Sequence, residues 1–157
     1  MTIATNFTFL TAPRSFNLIK EKLKLINEFA GKKSVKFYVL VGYESTDGKD
    51  IENAFIRIDL LLRYGCLPYI MRFQNKNDTP WKQSKYRTLY VAIARWCNQP
   101  SIIKKMSFRQ FCVANQALKK NQDNVCSTLQ AMLDYEKEYP EIAKRYFDVR
   151  MEDVRVR

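Results

Sequence analysis

The chain has 157 residues, of which 27 are Lys or Arg, 16 are Asp or Glu and none is His, so its formal net charge is +11. With 46% hydrophobic residues and only four glycines it is neither disordered nor collagen-like, and its length predicts one domain. Without histidine it can form no Ser-His-Asp triad, no Cys-His pair and no His-containing zinc site.

Residues 1–80 predict alternating strands and helices. Phe7–Leu10 is a short β-prone run, and a helix follows from Pro13 to a closing Gly31. Its apolar residues recur every three or four positions, at Phe16, Ile19, Leu23, Ile26 and Ala30. This spacing is typical of an amphipathic helix with one face against the core.

A second strand is predicted at Val35–Val41, which is continuously apolar from Phe37 onward. Such a run favours a strand covered on both faces, as in a parallel sheet. Gly42 ends the strand, and a polar loop leads to Asp50, which is placed to cap the next helix.

The second helix is predicted to end before Gly65. Its apolar face consists of Ile51, Ala54, Phe55, Ile58, Leu61 and Leu62. A third strand follows at Leu67–Phe73, where Pro68 is tolerable only near the strand start. Three strands separated by two helices predict a βαβαβ arrangement with a parallel sheet and right-handed crossovers.

Residues 81–157 are predicted to be helical and to pack on the first part, giving a single domain overall. Helices are expected at Lys85–Cys97, from a Ser107 cap to about Lys120, at Asp123–Tyr139 and at Pro140–Arg150. The tail Met151–Arg157 has no packing pattern and is expected to fray.

The predicted fold class is therefore α/β: a partial (β/α) half-barrel with about three parallel strands plus a C-terminal group of helices. A three-stranded parallel sheet leaves both of its edges unpaired, and such edges invite association. Either the C-terminal helices cap one edge, or another chain completes the sheet.

The four cysteines Cys66, Cys97, Cys112 and Cys126 form neither CxxC nor the close group of three that ligates an iron–sulfur centre. We interpret them as reduced, mostly buried thiols of a cytoplasmic protein, and we predict no metal site. No apolar stretch is long enough to cross a membrane, and residues 1–14 do not resemble a signal peptide.

Three segments resemble a known family. They read FYVLVGYEST from Phe37, LPYIMRFQNKND from Leu67 and ARWCN from Ala94. In order and approximate spacing they resemble the C-terminal part of radical S-adenosylmethionine proteins of a kind common in phages and mobile elements. The family fold is a partial (β/α)6 barrel, and the resemblance, over about half of the chain, implies that the chain holds about its last three strands.

The resemblance also implies a binding site at the carboxyl ends of these strands, where ligands of α/β sheets generally lie. Gly42 would let the backbone approach S-adenosylmethionine closely, and Tyr43 and Glu44 would contact its ribose or methionine moiety. Met71 and Arg72 would lie near the adenine. No catalytic residue is predicted, because no pair of carboxylates stands out by its spacing.

The chain departs from the family in lacking the CxxxCxxC motif that holds a [4Fe–4S] cluster. We therefore expect it not to be a complete radical S-adenosylmethionine enzyme by itself. It would be the C-terminal half of a split enzyme, a truncated remnant or a stand-alone half-barrel. S-adenosylmethionine is the cofactor implied, and a cluster would have to come from a partner chain; a second copy of the chain is the other partner that would complete the sheet.

The basic composition supports an alternative function, a small non-enzymatic phage or mobile-element protein that binds nucleic acid or a host protein. The candidate cations are Lys104, Lys105, Arg109, Lys119, Lys120, Lys144 and Arg145. The aromatic residues among them are Phe108, Phe111, Tyr146 and Phe147. Phosphate neutralisation combined with stacking of bases on aromatic rings is typical of non-specific nucleic-acid binding.

Overall fold

The computed structural model describes residues 2–3, 13–30, 35–43 and 45–156, and in these residues the fold is mixed α/β. The strands are β1 (Thr2–Ile3), β2 (Lys36–Val41) and β3 (Leu67–Arg72). The helices are α1 (Pro13–Ala30), α2 (Gly48–Arg63), α3 (Pro80–Gln83), α4 (Arg87–Cys97), α5 (Pro100–Ile103), α6 (Phe108–Ala117), α7 (Ser127–Glu138), α8 (Pro140–Tyr146) and α9 (Met151–Val154). The strand predicted at Phe7–Leu10 and the closing Gly31 lie outside the described residues.

The sheet is parallel, as predicted, and its strand order is β1-β2-β3. Strands β2 and β3 pair along their whole length, from Lys36 with Leu67 to Val41 with Arg72. The two residues of β1 pair with the start of β2. Because β2 and β3 are parallel and in register, their carboxyl ends lie side by side.

Only one face of the β2–β3 pair is fully covered, so the expectation of a strand buried on both faces is wrong. The buried face carries Phe37, Val39, Val41 and Ile70. The opposite face, called the open face below, carries Tyr38, Leu40, Tyr69 and Met71, all of which stay partly exposed. Side chains alternate along a strand, so helices that pack on one side leave every second residue outside the core.

The outer edge of β3 is closed by a side chain that follows α4. The Asn98 Oδ1 atom accepts a hydrogen bond from the backbone nitrogen of Ile70 at 2.7 Å, and Asn98 Nδ2 donates to the Ile70 carbonyl at 3.1 Å. The amide thus takes the place of a neighbouring strand. Of the two outcomes expected for the sheet edges, a cap from the C-terminal helices is the one found at β3.

The predicted helices are present with shifted ends. The cap of α2 is Asp47 rather than Asp50, because Asp47 Oδ1 accepts from the backbone nitrogens of Lys49 and Asp50. Helix α6 begins at the predicted Ser107 cap, which forms a capping box with Gln110. Helix α7 begins at Ser127, later than predicted.

The C-terminal tail is ordered rather than frayed through residue 156, which corrects the expectation from its sequence. Met151 is buried at the start of α9, and the backbone nitrogen of Val156 donates to the Arg63 carbonyl at 2.7 Å. The tail packs where α2 ends, so its order depends on a contact distant in sequence. The spacing of apolar residues within the tail does not reveal such a contact.

A single hydrophobic core contains side chains from both parts of the chain. Phe55 of α2 is at its centre, with ring centroids 5.1 to 6.4 Å from those of Trp96, Phe108, Tyr146 and Phe147. Aromatic pairs at these separations contribute to stability beyond the area they bury. The sheet and the C-terminal helices are therefore packed around shared residues.

Candidate functional site

Gly42 follows β2 and sits at the centre of the site that the resemblance implies. It has a φ of +69°, and a Cβ built on it would lie 3.1 Å from the Cβ of Trp81. Glycine is therefore required by both the left-handed backbone and the close approach of Trp81. In the structure the group that Gly42 admits is this indole side chain.

Asp50 ties the loop after β2 to two helices. Its Oδ2 accepts hydrogen bonds from the Gly42 backbone nitrogen at 2.8 Å and from the Tyr90 hydroxyl at 2.7 Å. Burial raises the pKa of the Asp50 carboxyl, while the hydrogen bonds from Tyr90 and Gly42 and the charge of Arg57 act in the opposite direction. The first turn of α2, the middle of α4 and the loop therefore meet at one buried carboxyl group.

Arg57 supports the end of β2 from the same side. It is buried, and its Nη1 donates to the Leu40 carbonyl at 2.9 Å while its Nε donates to the Asn53 carbonyl at 3.0 Å. The backbone that carries Gly42 is thus held by hydrogen bonds from buried side chains. Such support limits its movement when a ligand binds.

Tyr43 lies two residues beyond the end of β2. Its side chain is 53% exposed, and its ring centroid lies 4.9 Å from that of Phe73 in an edge-to-face arrangement. The Phe73 backbone nitrogen donates to the Val41 carbonyl at 2.9 Å, so the ladder continues one residue past β3. Glu44, the next predicted site residue, lies outside the described residues.

Met71 and Arg72 are adjacent in sequence but lie on opposite faces of the sheet, so the two predicted adenine contacts are separated. Met71 is 46% exposed on the open face, next along β3 from the Tyr38–Tyr69 ring pair. Arg72 is on the other face, where its guanidinium carbon lies 4.5 Å from the ring centroid of Trp81. One flat ring stacked on the open face would therefore contact Met71 and not Arg72.

The open face with Tyr43 and Phe73 beside it forms an aromatic and apolar surface at the carboxyl ends of β2 and β3. Tyr38 and Tyr69 form an edge-to-face pair on it, with ring centroids 5.4 Å apart. A surface of this kind suits stacking of a planar ring such as a purine.

The basic residues named for nucleic-acid binding are only in part available. The Arg109 guanidinium donates to both carboxylate oxygens of Glu136, at 2.6 and 2.8 Å, and to Asp148 at 2.9 Å. Lys119 Nζ donates to the Asn124 carbonyl at 2.8 Å. The other candidates have exposed side chains: Lys104, Lys105, Lys120, Lys144 and Arg145.

The aromatic residues that were expected to stack bases are in the core. Phe108, Phe111, Tyr146 and Phe147 are all buried. That expectation is wrong, because Phe108 and Phe111 lie on the inner face of α6, and Tyr146 and Phe147 are buried where α8 ends. A nucleic acid bound at this surface would have to be held by the cations alone.

Three of the four cysteines are buried, as predicted. Cys66, Cys97 and Cys112 are buried, Cys126 is partly exposed, and all four are free. Burial raises the pKa of Cys66 to about 11 and that of Cys112 to about 12, which disfavours the nucleophilic thiolate. Within the described residues no three acidic or sulfur-bearing side chains come together in a way that could hold a metal ion.

Comparisons of the chain with protein-family models, with curated proteins and with solved structures find no significant match. Of the helices that the structure describes, none combines the length and the apolar character needed to cross a membrane. Assignment of a function therefore depends on the site geometry and on the sequence resemblance.

Two residues of the site, Trp81 and Phe73, were not identified as such from the sequence, and a third, Asn98, was identified only as part of the ARWCN segment. Trp81 packs under Gly42, Phe73 extends the open face, and Asn98 closes the edge of β3. Phe73 was part of the predicted third strand. It is two residues after Met71, and residues two apart on a strand lie on the same face. The roles of Trp81 and Asn98 depend on contacts far apart along the chain.

Proposed function

We propose that the chain is the C-terminal part of a radical S-adenosylmethionine-type half-barrel, which supplies part of the S-adenosylmethionine site without a cluster of its own. The open face is the observation that carries this proposal. In a (β/α) barrel the helices lie outside and the other face of each strand turns toward the interior. A parallel sheet with helices on one face and exposed aromatic residues on the other has the surface that such an interior needs.

The edges of the sheet favour a partner on the side of β1. The Asn98 side chain forms hydrogen bonds with the backbone nitrogen and carbonyl of Ile70 at the outer edge of β3. In the described part of the chain, β1 is at the other end of the strand order, with β2 as its one neighbour. A cluster-bearing chain would therefore add its strands next to β1, and a second copy of the chain is the other candidate for this position.

Different residues would then hold the ligand and position it. Tyr43 and Met71 are exposed at the strand ends and would contact S-adenosylmethionine directly. Gly42 would act through the backbone conformation of the loop, with Glu44 next to it in sequence. S-adenosylmethionine, with a [4Fe–4S] cluster held by the partner, would supply the chemistry, and this chain would bind and orient it.

The test begins with anaerobic affinity purification of the tagged chain from its native host. A co-eluting protein and a broad absorbance band near ~400 nm, as expected of a Cys-ligated cluster, would identify the partner. Calorimetry then measures S-adenosylmethionine binding to the chain alone and to the complex. We expect weak or absent binding by the chain alone and a clear gain in the complex.

A matched pair of variants tests the open face. Met71→Lys is expected to weaken S-adenosylmethionine binding by the complex at least about tenfold, because it puts a charge into an apolar contact. Val113→Lys changes a residue of α6 that is 52% exposed and is expected to have no effect. Tight binding by the isolated chain, or a colourless chain that elutes alone and binds no ligand, would contradict the proposal.

The second candidate function is binding of nucleic acid or of a host protein, and the exposed side chains of Lys105, Lys120 and Lys144 favour it. For Z neutralised phosphates, the log–log slope of affinity against salt is expected to be about −0.9Z. Lys120→Gln should reduce the magnitude of the slope by about 1, whereas Arg109→Gln should leave it unchanged because Arg109 is already neutralised. Absence of any DNA or RNA shift at low salt would exclude the nucleic-acid form of this proposal.

A further inference from the structure

We propose that Arg72 and Lys82, both of which lie within 6 Å of the centroid of the Trp81 indole, form a binding site for an oxyanion, either a carboxylate or a phosphate group. The site is behind the carboxyl end of β3, on the face of the sheet opposite Met71. The site does not depend on the function proposed above, because its cations and N–H donors would bind an oxyanion of any source.

The two cations belong to one small cluster. The Arg72 guanidinium carbon lies 4.5 Å from the centroid of the Trp81 ring, and the Lys82 Nζ atom lies 5.8 Å from the same centroid. Contact with the ring attracts each cation without supplying a hydrogen-bond acceptor. The indole therefore positions the charges while their donors stay available.

The cluster has side-chain donors and no acceptor for them. Arg72 and Lys82 make no side-chain hydrogen bond or ion pair with any residue that the structure describes. The Trp81 Nε1 atom is also a donor, and it is buried without a partner among those same residues. Trp81 is only 4% exposed, so bulk water does not compensate its N–H group.

Three other arginines of the chain have the kind of acceptor that Arg72 lacks. Arg63, Arg109 and Arg150 each pair with a carboxylate within 2.9 Å. Arg72 instead lies over a ring that also has Lys82 within 6 Å of its centroid and whose own N–H group is unpaired among the described residues. These donors lack an acceptor. An oxyanion would supply one, because a guanidinium binds an oxyanion through two parallel hydrogen bonds.

The experiment follows the indole N–H resonances of the full chain by ¹H–¹⁵N NMR during titration with inorganic phosphate. The chain has two tryptophans, and Trp81→Phe identifies the signal of Trp81. We expect the Trp81 signal to shift with saturation. The signal of Trp96, whose Nε1 donates to the Met106 carbonyl at 3.0 Å, should stay in place.

Two arginine variants make a matched pair, since both side chains lie against an aromatic ring. Arg72→Gln is expected to weaken phosphate binding at least about tenfold, because it removes the charge and the paired donors. Arg95→Gln, which changes an arginine whose guanidinium carbon lies 5.9 Å from the Phe111 centroid, is expected to leave binding unchanged. Equal loss in both variants, or no saturable shift in the wild type, would overturn the proposal.

The source of the oxyanion is found by comparing ligands with and without it. S-adenosylmethionine is compared with methylthioadenosine, which lacks the carboxylate, and AMP is compared with adenosine. The pair whose difference in affinity disappears in Arg72→Gln identifies the source. If phosphate shifts the Trp81 signal while the complex with the co-eluting partner binds neither S-adenosylmethionine nor methylthioadenosine, the oxyanion site stands and the function proposed above fails.

A carboxylate of the chain itself is the competing explanation, and Glu44 is the nearest acidic residue in sequence to Gly42. Glu44→Gln is expected to bind phosphate with an affinity close to that of the wild type. A gain of about tenfold or more in this variant would mean that an internal carboxylate already occupies the two cations. That result would overturn the proposal.

Discussion

At the scale of single residues, Asp50 connects the local sequence with the geometry of the site. Its carboxyl group accepts from the Gly42 nitrogen and the Tyr90 hydroxyl, so one side chain orients the loop that carries Tyr43. A buried acceptor with two donors is costly to remove, because both donors then lose their partner. The residue is therefore expected to affect stability and loop position together.

Asp50 should make the free energy of unfolding depend on pH. Its pKa is raised in the folded state by burial, so the stability it contributes is present below its unfolded pKa and is lost as the pH rises through the folded pKa. The excess stability of the wild type over Asp50→Asn should therefore fall between pH 4 and pH 7 in urea denaturation. Asp50→Ala should cost about 1–3 kcal/mol, since it leaves two donors without an acceptor.

Asp78→Asn, in the exposed loop after β3, is the control and should change the free energy of unfolding by less than about 0.5 kcal/mol. A constant difference between the wild type and Asp50→Asn from pH 4 to pH 7 would show that Asp50 does not titrate as described.

At the scale of secondary-structure elements, the decisive contact joins the end of α4 to β3. The ARWCN segment has a structural explanation at three positions: Trp96 and Cys97 are buried, and Asn98 pairs with the backbone of Ile70. A single amide side chain blocks the sheet edge that an associating strand would use. The direction in which the sheet is free to grow thus depends on one residue after a helix.

Asn98→Ala is expected to lower the free energy of unfolding by about 1–3 kcal/mol, because the nitrogen and carbonyl of Ile70 lose their partners. It should also promote self-association through the exposed edge of β3. Urea denaturation measures the first effect and size-exclusion chromatography at several concentrations measures the second.

Gln99→Ala alters the exposed neighbour of Asn98 and should change neither quantity. If Asn98→Ala stays as stable and as monodisperse as Gln99→Ala, the amide does not close the edge in solution.

At the scale of the whole molecule, some of the positive charges pair with carboxylates of the protein and are not available to a partner. Arg109 joins α6 to Glu136 of α7 and to Asp148, which follows α8, so it acts as a link between helices. The hydrogen bond from Arg109 lowers the pKa of Glu136. Counting basic residues therefore overstates the charge available to a nucleic acid or an acidic partner.

Arg109→Gln is expected to destabilise the protein by about 1–2 kcal/mol at neutral pH, since it removes a bidentate pair and a second carboxylate contact. A lowered folded-state pKa stabilises above the unfolded pKa and is lost as the pH falls, so the effect should shrink toward pH 3. Urea denaturation at pH 7 and pH 3 checks this, with Arg95→Gln as the control. An equal loss at both pH values would contradict it.

The candidate site could be found from the sequence only in outline. Tyr43 and Met71 are exposed at the strand ends, in the positions that the resemblance implied. Gly42 was singled out correctly as a special backbone position, but the group packed against it is Trp81. A motif identifies residues at a strand end without showing which neighbour fills the space beside them.

The amino-acid sequence by itself determined the alternation of strands and helices and the parallel sheet. These features follow from the periodicity of apolar residues and from turn residues such as Gly42 and Gly65, both of which have positive φ. Only the tertiary structure decided which face of the sheet stays open, that Asn98 closes one edge, and that Trp81 packs against Gly42. The physical reason is that each of these depends on contacts between residues far apart along the chain, whereas periodicity reports only the local conformation of the backbone.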